Sequence, residues 1–259
     1  MQRITSLSDY FKKYEQSVKD PEKFWAEIAD TFIWKKKWDK VLDWDFDSVD
    51  IKWFKNAKLN ITENILEKNL IDRADKTAII WEPNDPTEPS IHLTYKELYE
   101  ETCKFSNALR EKGIKKGDRV IIYMPMVPEA AIAMLACARV GAIHSVVFAG
   151  FSSTSLADRI NDCQAKMVLT SDGNFRGNKT IPVKPVVDEA LEKCKTIESV
   201  IVLERTKQKI NMTSGRDFWW HDCICDVSSQ CDPEILDSED MLFILYTSGS
   251  TGKPKGVLH

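Results

Sequence analysis

Several features are scarce in this chain of 259 residues, and each scarcity excludes a class of protein. Ten glycines and ten prolines are too few for a collagen-like or low-complexity chain. The longest uninterrupted apolar run, residues 130–138, is too short to cross a bilayer as a helix. The first twenty residues are polar and mixed in charge, so we expect no signal peptide and a cytoplasmic location.

The chain also lacks a large excess of charge of either sign, because it has 36 basic and 40 acidic residues and a formal net charge of −4. This balance predicts neither nucleic acid nor a membrane as a partner, and it leaves the oligomeric state open. The seven cysteines are odd in number and scattered, which favours reduced thiols over a disulfide framework. Cys223 and Cys225 are separated by one residue, closer than paired zinc ligands usually are, and we predict no metal site.

Aromatic residues, in contrast, are concentrated near the start of the chain. Five of the eight tryptophans are Trp25, Trp34, Trp38, Trp44 and Trp53. Lysines separate Trp34 from Trp38, a pattern that fits packed rings with solvated charges better than a nucleic-acid surface. We therefore interpret residues 1–70 as a Trp-rich N-terminal arm.

Strand and helix patterns alternate from about residue 76 onward. Apolar runs predict strands at residues 77–81, 119–124, 142–148, 166–170, 199–203 and 241–246. Capping and turn residues predict helices at residues 94–113, 128–141, 153–163 and 187–195. This alternation predicts an α/β fold with a mainly parallel sheet flanked by helices. Ligands of such sheets bind beyond the carboxyl ends of strands, which draws attention to the loops after Phe148 and Thr170.

The last strand leads into residues 247–256, a segment that combines glycines, hydroxyl side chains and two lysines. Glycines let backbone N–H groups converge on an anion, hydroxyls add donors, and lysines neutralise charge. We predict that this segment binds phosphate through Thr247, Ser248, Gly249, Ser250, Thr251, Gly252, Lys253 and Lys255.

The spacing in this segment differs from that of a Walker A loop, which has a glycine, four residues and then Gly-Lys-Ser/Thr. Pro254 follows Lys253, and Thr247 stands where the first glycine would be needed. Residues 257–258 also look like the start of another strand rather than a helix. We therefore expect a phosphate loop between two strands, typical of another class of nucleotide-using protein.

Residues 246–256, Tyr-Thr-Ser-Gly-Ser-Thr-Gly-Lys-Pro-Lys-Gly, resemble the signature loop of the adenylate-forming superfamily. Residues 123–152, residues 215–221 and the Trp-rich arm are similar to acetyl-CoA synthetases in particular. The resemblance implies that residues 71–259 are the N-terminal, incomplete part of the large AMP-forming domain, with the C-terminal domain absent.

For an intact enzyme, the resemblance implies a reaction in two steps. Acetate and ATP form acetyl-AMP and pyrophosphate, and the thiol of coenzyme A then displaces AMP. ATP with Mg²⁺ and coenzyme A would be cosubstrates, and the loop would grip the β- and γ-phosphates. No residue here is predicted to be catalytic. Propionyl- and acetoacetyl-CoA synthetases remain alternatives, as does a non-catalytic module that binds CoA or a nucleotide.

The same resemblance indicates residues that would contact CoA. The stretch Arg176, Gly177, Asn178 and Lys179 matches the part that holds the 3′-phosphate ADP portion of CoA. Phe148 and Gly150 would form a wall against its adenine. Judged by composition alone, the basic stretch up to Lys184 fits a solvated surface as well, and the phenylalanines fit a packed core.

Overall fold

The computed structural model describes residues 4–247 and 252–259, which fall into two compact units. The first unit comprises Met1–Lys68 and Ile235–Asp240, and the second comprises Asn69–Glu234 and Met241–His259. None of the described helices has both the length and the apolar character needed to cross a membrane.

The helices are α1 Leu7–Lys19, α2 Pro21–Ala29, α3 Ile61–Ile65, α4 Glu67–Arg73, α5 Tyr95–Glu111, α6 Pro128–Val140, α7 Ser153–Cys163, α8 Lys184–Leu191 and α9 Trp220–Ile224. The strands are β1 Lys40–Asp45, β2 Asp50–Lys55, β3 Lys58–Leu59, β4 Thr77–Trp81, β5 Ile91–Thr94, β6 Arg119–Tyr123, β7 Ile143–Val146, β8 Met167–Ser171, β9 Gly173–Arg176, β10 Lys179–Pro182, β11 Ser199–Leu203, β12 Asp217–Trp219, β13 Leu236–Asp237, β14 Ile244–Thr247 and β15 Lys255–Leu258.

The first unit contains the antiparallel hairpin β1–β2 and a cluster of aromatic rings. Trp34, Trp38 and Phe54 pack with ring centroids 5.2–5.4 Å apart. The lysines between the two tryptophans are exposed. The rings therefore remove their apolar area from water while the charges between them stay solvated.

The second unit contains a parallel sheet with the strand order β12-β11-β8-β6-β7, which confirms the predicted fold class. β6, β8 and β11 are rich in Val, Ile and Leu and are buried along most of their length. Such strands have helices on both faces, and their connections are long enough to contain them. The predicted capping box of α5 is present, and Gly141 ends α6 in the left-handed conformation.

The sequence-based expectations were wrong at three places. β4 pairs with β5 in a separate antiparallel sheet, although no strand was predicted between residue 81 and the helix expected at residue 94. The segment after Thr170, also expected to be a loop, contains the hairpin β9–β10. α8 begins at Lys184 rather than Val187. The strands concerned are four residues long, too short for a hydrophobic period to be recognised.

Helix α8 begins at a buried ion-pair cluster. The Lys184 ammonium is fully buried and lies 2.8 Å from Asp217 Oδ2 and 2.6 Å from Asp188 Oδ1. Arg216 lies 2.6 Å from the other oxygen of Asp217. Burial alone would raise the pKa of Asp217, but hydrogen bonds from Arg216 and Lys184 lower it below its ordinary value. The cluster thus fixes the start of α8 against β12.

We expect Lys184→Met to lower the free energy of unfolding at pH 7 by about 1–3 kcal/mol, because it removes the charged hydrogen bonds to Asp188 and Asp217 while Arg216 stays paired with Asp217. A carboxylate with a lowered native pKa stabilises above its unfolded pKa of about 3.9 and loses this effect as pH falls through the native value. The difference between wild type and Lys184→Met should therefore shrink below about pH 4. Urea unfolding at several pH values measures both effects.

Lys195→Met is the matched control, because Lys195 is exposed and lies beyond the end of α8. Equal stability of the two variants at pH 7 would contradict the structural role of the buried cluster.

Candidate functional site

The predicted phosphate loop connects β14 to β15, which form an antiparallel hairpin. Thr247 pairs with Lys255 where the hairpin opens, and both residues are exposed, as is Lys253. Gly252 has a φ of +97°, in the left-handed region that favours glycine. The remaining predicted ligands, Ser248, Gly249, Ser250 and Thr251, lie outside the described residues. The loop thus leads from strand to strand, as the sequence predicted.

The base of this hairpin is held by Tyr246. Its hydroxyl donates to Asp162 Oδ2 at 2.7 Å. Its ring lies over Gly256, its partner across the hairpin, where an added Cβ would lie 3.3 Å from the ring. Burial, followed by the hydrogen bond to Asp162, raises the pKa of Tyr246, so the hydroxyl remains a donor. The residue before the phosphate loop is therefore fixed at both its hydroxyl and its ring.

The predicted CoA cations lie on the second hairpin, β9–β10. Arg176 and Lys179 pair directly across it, and residues 177–178 form the turn, with Gly177 at a φ of +55°. Both cations are exposed, and within residues 4–247 and 252–259 neither forms an ion pair. Like charges directly opposite each other repel, so an anion between them would relieve the repulsion.

Asn84, which the sequence analysis missed, holds the turn of this hairpin. Its amide nitrogen donates to the carbonyl oxygen of Gly177 at 2.9 Å, and its side-chain oxygen accepts from the Gly177 N–H at 3.1 Å. The residue belongs to the loop after β4, 93 positions from its partner. Its Pro-Asn-Asp-Pro context indicates only a turn, so no local pattern could have revealed this contact.

The base of the β9–β10 hairpin is organised by Asp172, which is fully buried. Its carboxylate accepts from the backbone N–H groups of Gly173, Arg205, Thr206 and Gln208 at 2.7–3.2 Å. A single side chain thereby ties the start of the hairpin to the segment after β11.

The predicted adenine wall follows β7. Phe148 is 70% exposed, so it is not a core residue, and its ring meets Phe151 edge-on at 5.6 Å. A Cβ at Gly150 would lie 2.3 Å from the Phe148 ring, which shows that the ring's position requires glycine there. An exposed aromatic face at the end of a strand is suited to stacking on a base.

The sheet brings these three segments to one edge. β7 and β8 flank β6 in parallel, so the loops after them begin about 10 Å apart, twice the spacing of neighbouring strands. Phe243 forms a parallel bridge with His144, so β14 runs in the same direction as β7. Thr247 and Phe148 each lie four residues beyond that bridge. Three segments therefore emerge at the carboxyl edge: the phosphate hairpin (β14–β15 with the predicted phosphate loop), the aromatic wall (Phe148 and Phe151) and the cationic hairpin (β9–β10 with Arg176 and Lys179).

Two buried ionisable residues of this region do not belong to the candidate site. Lys184, the third cation after Thr170, is buried against Asp188 and Asp217 and does not offer its charge to a ligand. His144 is buried within β7, where burial lowers its pKa to about 4, so it is neutral at pH 7.

A cavity of about 300 Å³ lies elsewhere in the second unit, beside Lys112 and Phe218. None of the predicted site residues lines it, and its acidic lining would repel phosphate, since it includes Glu111, Asp217, Asp222 and Asp226. The open edge of the sheet, rather than this cavity, therefore carries the candidate site.

Two family models match this chain. The family model described as AMP-binding enzyme matches residues 66–259. The one described as acetyl-coenzyme A synthetase N-terminus matches residues 10–65.

Curated relatives include acetyl-coenzyme A synthetases of Syntrophobacter fumaroxidans, 54% identical, and Bdellovibrio bacteriovorus, 52% identical, each matched over 96% of this chain. The chain spans only 38% and 39% of their respective lengths. Among solved structures, an acetoacetyl-CoA synthetase from Streptomyces lividans matches with a TM-score of 0.85 and 25% identity, over 94% of this chain and 37% of that one.

The first unit corresponds in large part to the matched N-terminal segment, and the second contains most of the matched AMP-binding segment. The chain therefore belongs to the AMP-binding enzyme family.

Proposed function

We propose that this chain is the first part of an AMP-forming acetate–CoA ligase. In the first step, a carboxylate oxygen of acetate attacks the α-phosphorus of ATP, and pyrophosphate leaves with the electrons of the broken P–O bond. In the second step, the thiol sulfur of CoA attacks the acetyl carbonyl carbon, its proton is released, and AMP leaves. Residues 1–70 form the arm and residues 71–259 the first part of the AMP-forming domain.

One observation carries this proposal: cations without acidic partners among the described residues lie on two hairpins at the same edge of the sheet. Lys253 and Lys255 extend from β14–β15, and Arg176 and Lys179 from β9–β10. The reaction needs two anion-binding sites on one enzyme, one for the leaving pyrophosphate and one for the phosphates of CoA. Donors that are already in place stabilise the charge on pyrophosphate as it forms.

Acetate is the acid favoured by the degree of similarity. The relatives named acetyl-coenzyme A synthetase are 54% and 52% identical to this chain, whereas the acetoacetyl-CoA synthetase is 25% identical. ATP would enter with Mg²⁺ as its counter-ion, and the enzyme would act in the cytoplasm, where its free thiols remain reduced.

We expect Lys253→Ala and Thr247→Ala in the intact enzyme to slow acetate-dependent ATP–pyrophosphate exchange by about 10²-fold, because each removes a donor aimed at the leaving group. Lys209→Ala is the control, since Lys209 is an exposed lysine of the same unit outside the candidate site. Wild-type exchange in both site variants would contradict the phosphate assignment. An intact wild-type enzyme that binds CoA but shows no exchange would instead support the non-catalytic alternative.

We expect Arg176→Ala to raise KM for CoA by about tenfold or more with little change in KM for ATP, because a charged hydrogen bond to phosphate is lost. Asn84→Ala should act in the same direction by a smaller factor, since it releases the turn that carries Arg176. Initial rates of acetyl-CoA formation at varied CoA and varied ATP measure both constants.

Asn107→Ala is the control for Asn84→Ala. The Asn107 amide also secures a loop through two hydrogen bonds, to the carbonyl oxygens of Ser228 and Gln230, but outside the candidate site. Equal changes in KM for CoA and for ATP in Arg176→Ala would count against the CoA assignment.

A further inference from the structure

Arg159, on α7, lies between the aromatic wall and the phosphate hairpin. Its guanidinium carbon is 4.9 Å from the ring centroid of Phe151 and 5.3 Å from that of Tyr246. Phe151 belongs to the segment after β7, and Tyr246 directly precedes Thr247. One side chain therefore contacts both segments that emerge at this edge of the sheet.

Each of the two rings is fixed by contacts of its own. The carbonyl oxygen of Phe151 accepts a hydrogen bond from the Tyr123 hydroxyl at 2.7 Å, and its ring meets the exposed ring of Phe148. Tyr246 is held by Asp162 and lies over Gly256. A displacement of the Arg159 guanidinium would therefore shift Phe148 through its contact with Phe151, and would shift Thr247 through Tyr246.

The charge of Arg159 is unusual for a residue that is only 7% exposed. Its Nη1 donates to the carbonyl and hydroxyl oxygens of Ser155, on the preceding turn of α7. Within residues 4–247 and 252–259, no carboxylate lies within ion-pair distance of it. Burying a charge without an acidic partner is costly, and the two aromatic faces supply the compensating attraction. An apolar residue would fill the same space without that cost.

We propose that Arg159 is a positioning residue that sets the aromatic wall and the strand leading to the phosphate loop relative to each other. Through it, the site for the CoA adenine and the site for the ATP phosphates share one support. This inference rests on the proposed function, since both sites are those of the proposed reaction.

The proposal predicts a kinetic signature that the binding residues lack. Arg176 variants should affect CoA alone, and Lys253 variants the pyrophosphate step alone, whereas an Arg159 variant should affect both substrates. A role confined to stability would lower the amount of active enzyme and hence the apparent kcat, but would leave both KM values unchanged.

The test uses Arg159→Met and Arg159→Lys in the intact enzyme. We expect Arg159→Met to raise both KM for CoA and KM for ATP by about three- to tenfold, less than the roughly 30-fold cost of losing a buried cation–π contact, because Arg159 supports each site only through another residue. Arg159→Lys keeps the charge but not the planar group that fits between two rings, so it should restore the values in part.

Arg119→Met is the matched control. The Arg119 guanidinium also secures backbone carbonyls, those of Gly117, Cys163 and Gln164, but it contacts neither ring. The proposal is overturned if Arg159→Met changes kcat only, if it changes the KM of one substrate only, or if Arg119→Met changes both KM values equally.

Amide hydrogen exchange of the intact enzyme separates the inference from the proposed function. Arg159→Met should speed amide exchange both at Phe151 and across the β14–β15 hairpin, relative to Arg119→Met. That result supports the positioning role even if the wild-type enzyme shows no acetate-dependent ATP–pyrophosphate exchange. The absence of ATP–pyrophosphate exchange would refute the proposed function alone. Faster exchange at only one of the two segments, or at neither, would overturn the positioning role.

Discussion

The parallel hydrogen bonding of β7, β6 and β8 is the constraint on which the candidate site depends. Parallel strands deliver their carboxyl ends to one edge, and helical crossovers keep the returning chain away from that edge. The wall after β7 and the cationic hairpin after β8 are neighbours for that reason alone. The parallel bridge between His144 and Phe243 shows that β14, which leads into the predicted phosphate loop, runs in the same direction.

The distribution of charge on this frame separates structural cations from candidate ligands. Lys184 is buried and satisfied by Asp188 and Asp217, so its charge serves the fold. Arg176 and Lys179 are exposed, opposite each other and without an ion pair in the part of the chain that the structure describes. Cations held close together without an acid create a local positive potential, which favours a phosphate group over a neutral ligand. The sequence alone did not distinguish the buried structural cation from the two exposed ones, because Arg176, Lys179 and Lys184 lie within nine positions of each other.

Prediction from the sequence succeeded where the determinants are local. α7 and β11 were predicted to the residue, because their signals are local. A capping serine precedes α7, and β11 is a short apolar run between turns. That the predicted phosphate loop leads from one strand to another followed in the same way from Pro254 and the apolar residues after it, although the antiparallel pairing of those strands was not predicted. The β9–β10 hairpin was missed because its strands are short and polar, although Gly177-Asn178 is a recognisable turn. The roles of Asn84 and Arg159 could not have been found, since Asn84 contacts Gly177 and Arg159 contacts Tyr246, each far away in sequence.

The central claim is that two neighbouring cationic hairpins bind different phosphates, and lysine footprinting of the intact enzyme tests it most directly. The enzyme is labelled with an amine-reactive acetylating reagent in the presence of ATP and Mg²⁺, of CoA, or of neither, and label is quantified at each lysine by mass spectrometry. The account predicts that CoA protects Lys179 and that ATP protects Lys253 and Lys255, while the exposed Lys209 is labelled equally in all three conditions. Protection of Lys179 by ATP alone, or of no lysine on either hairpin, would contradict it.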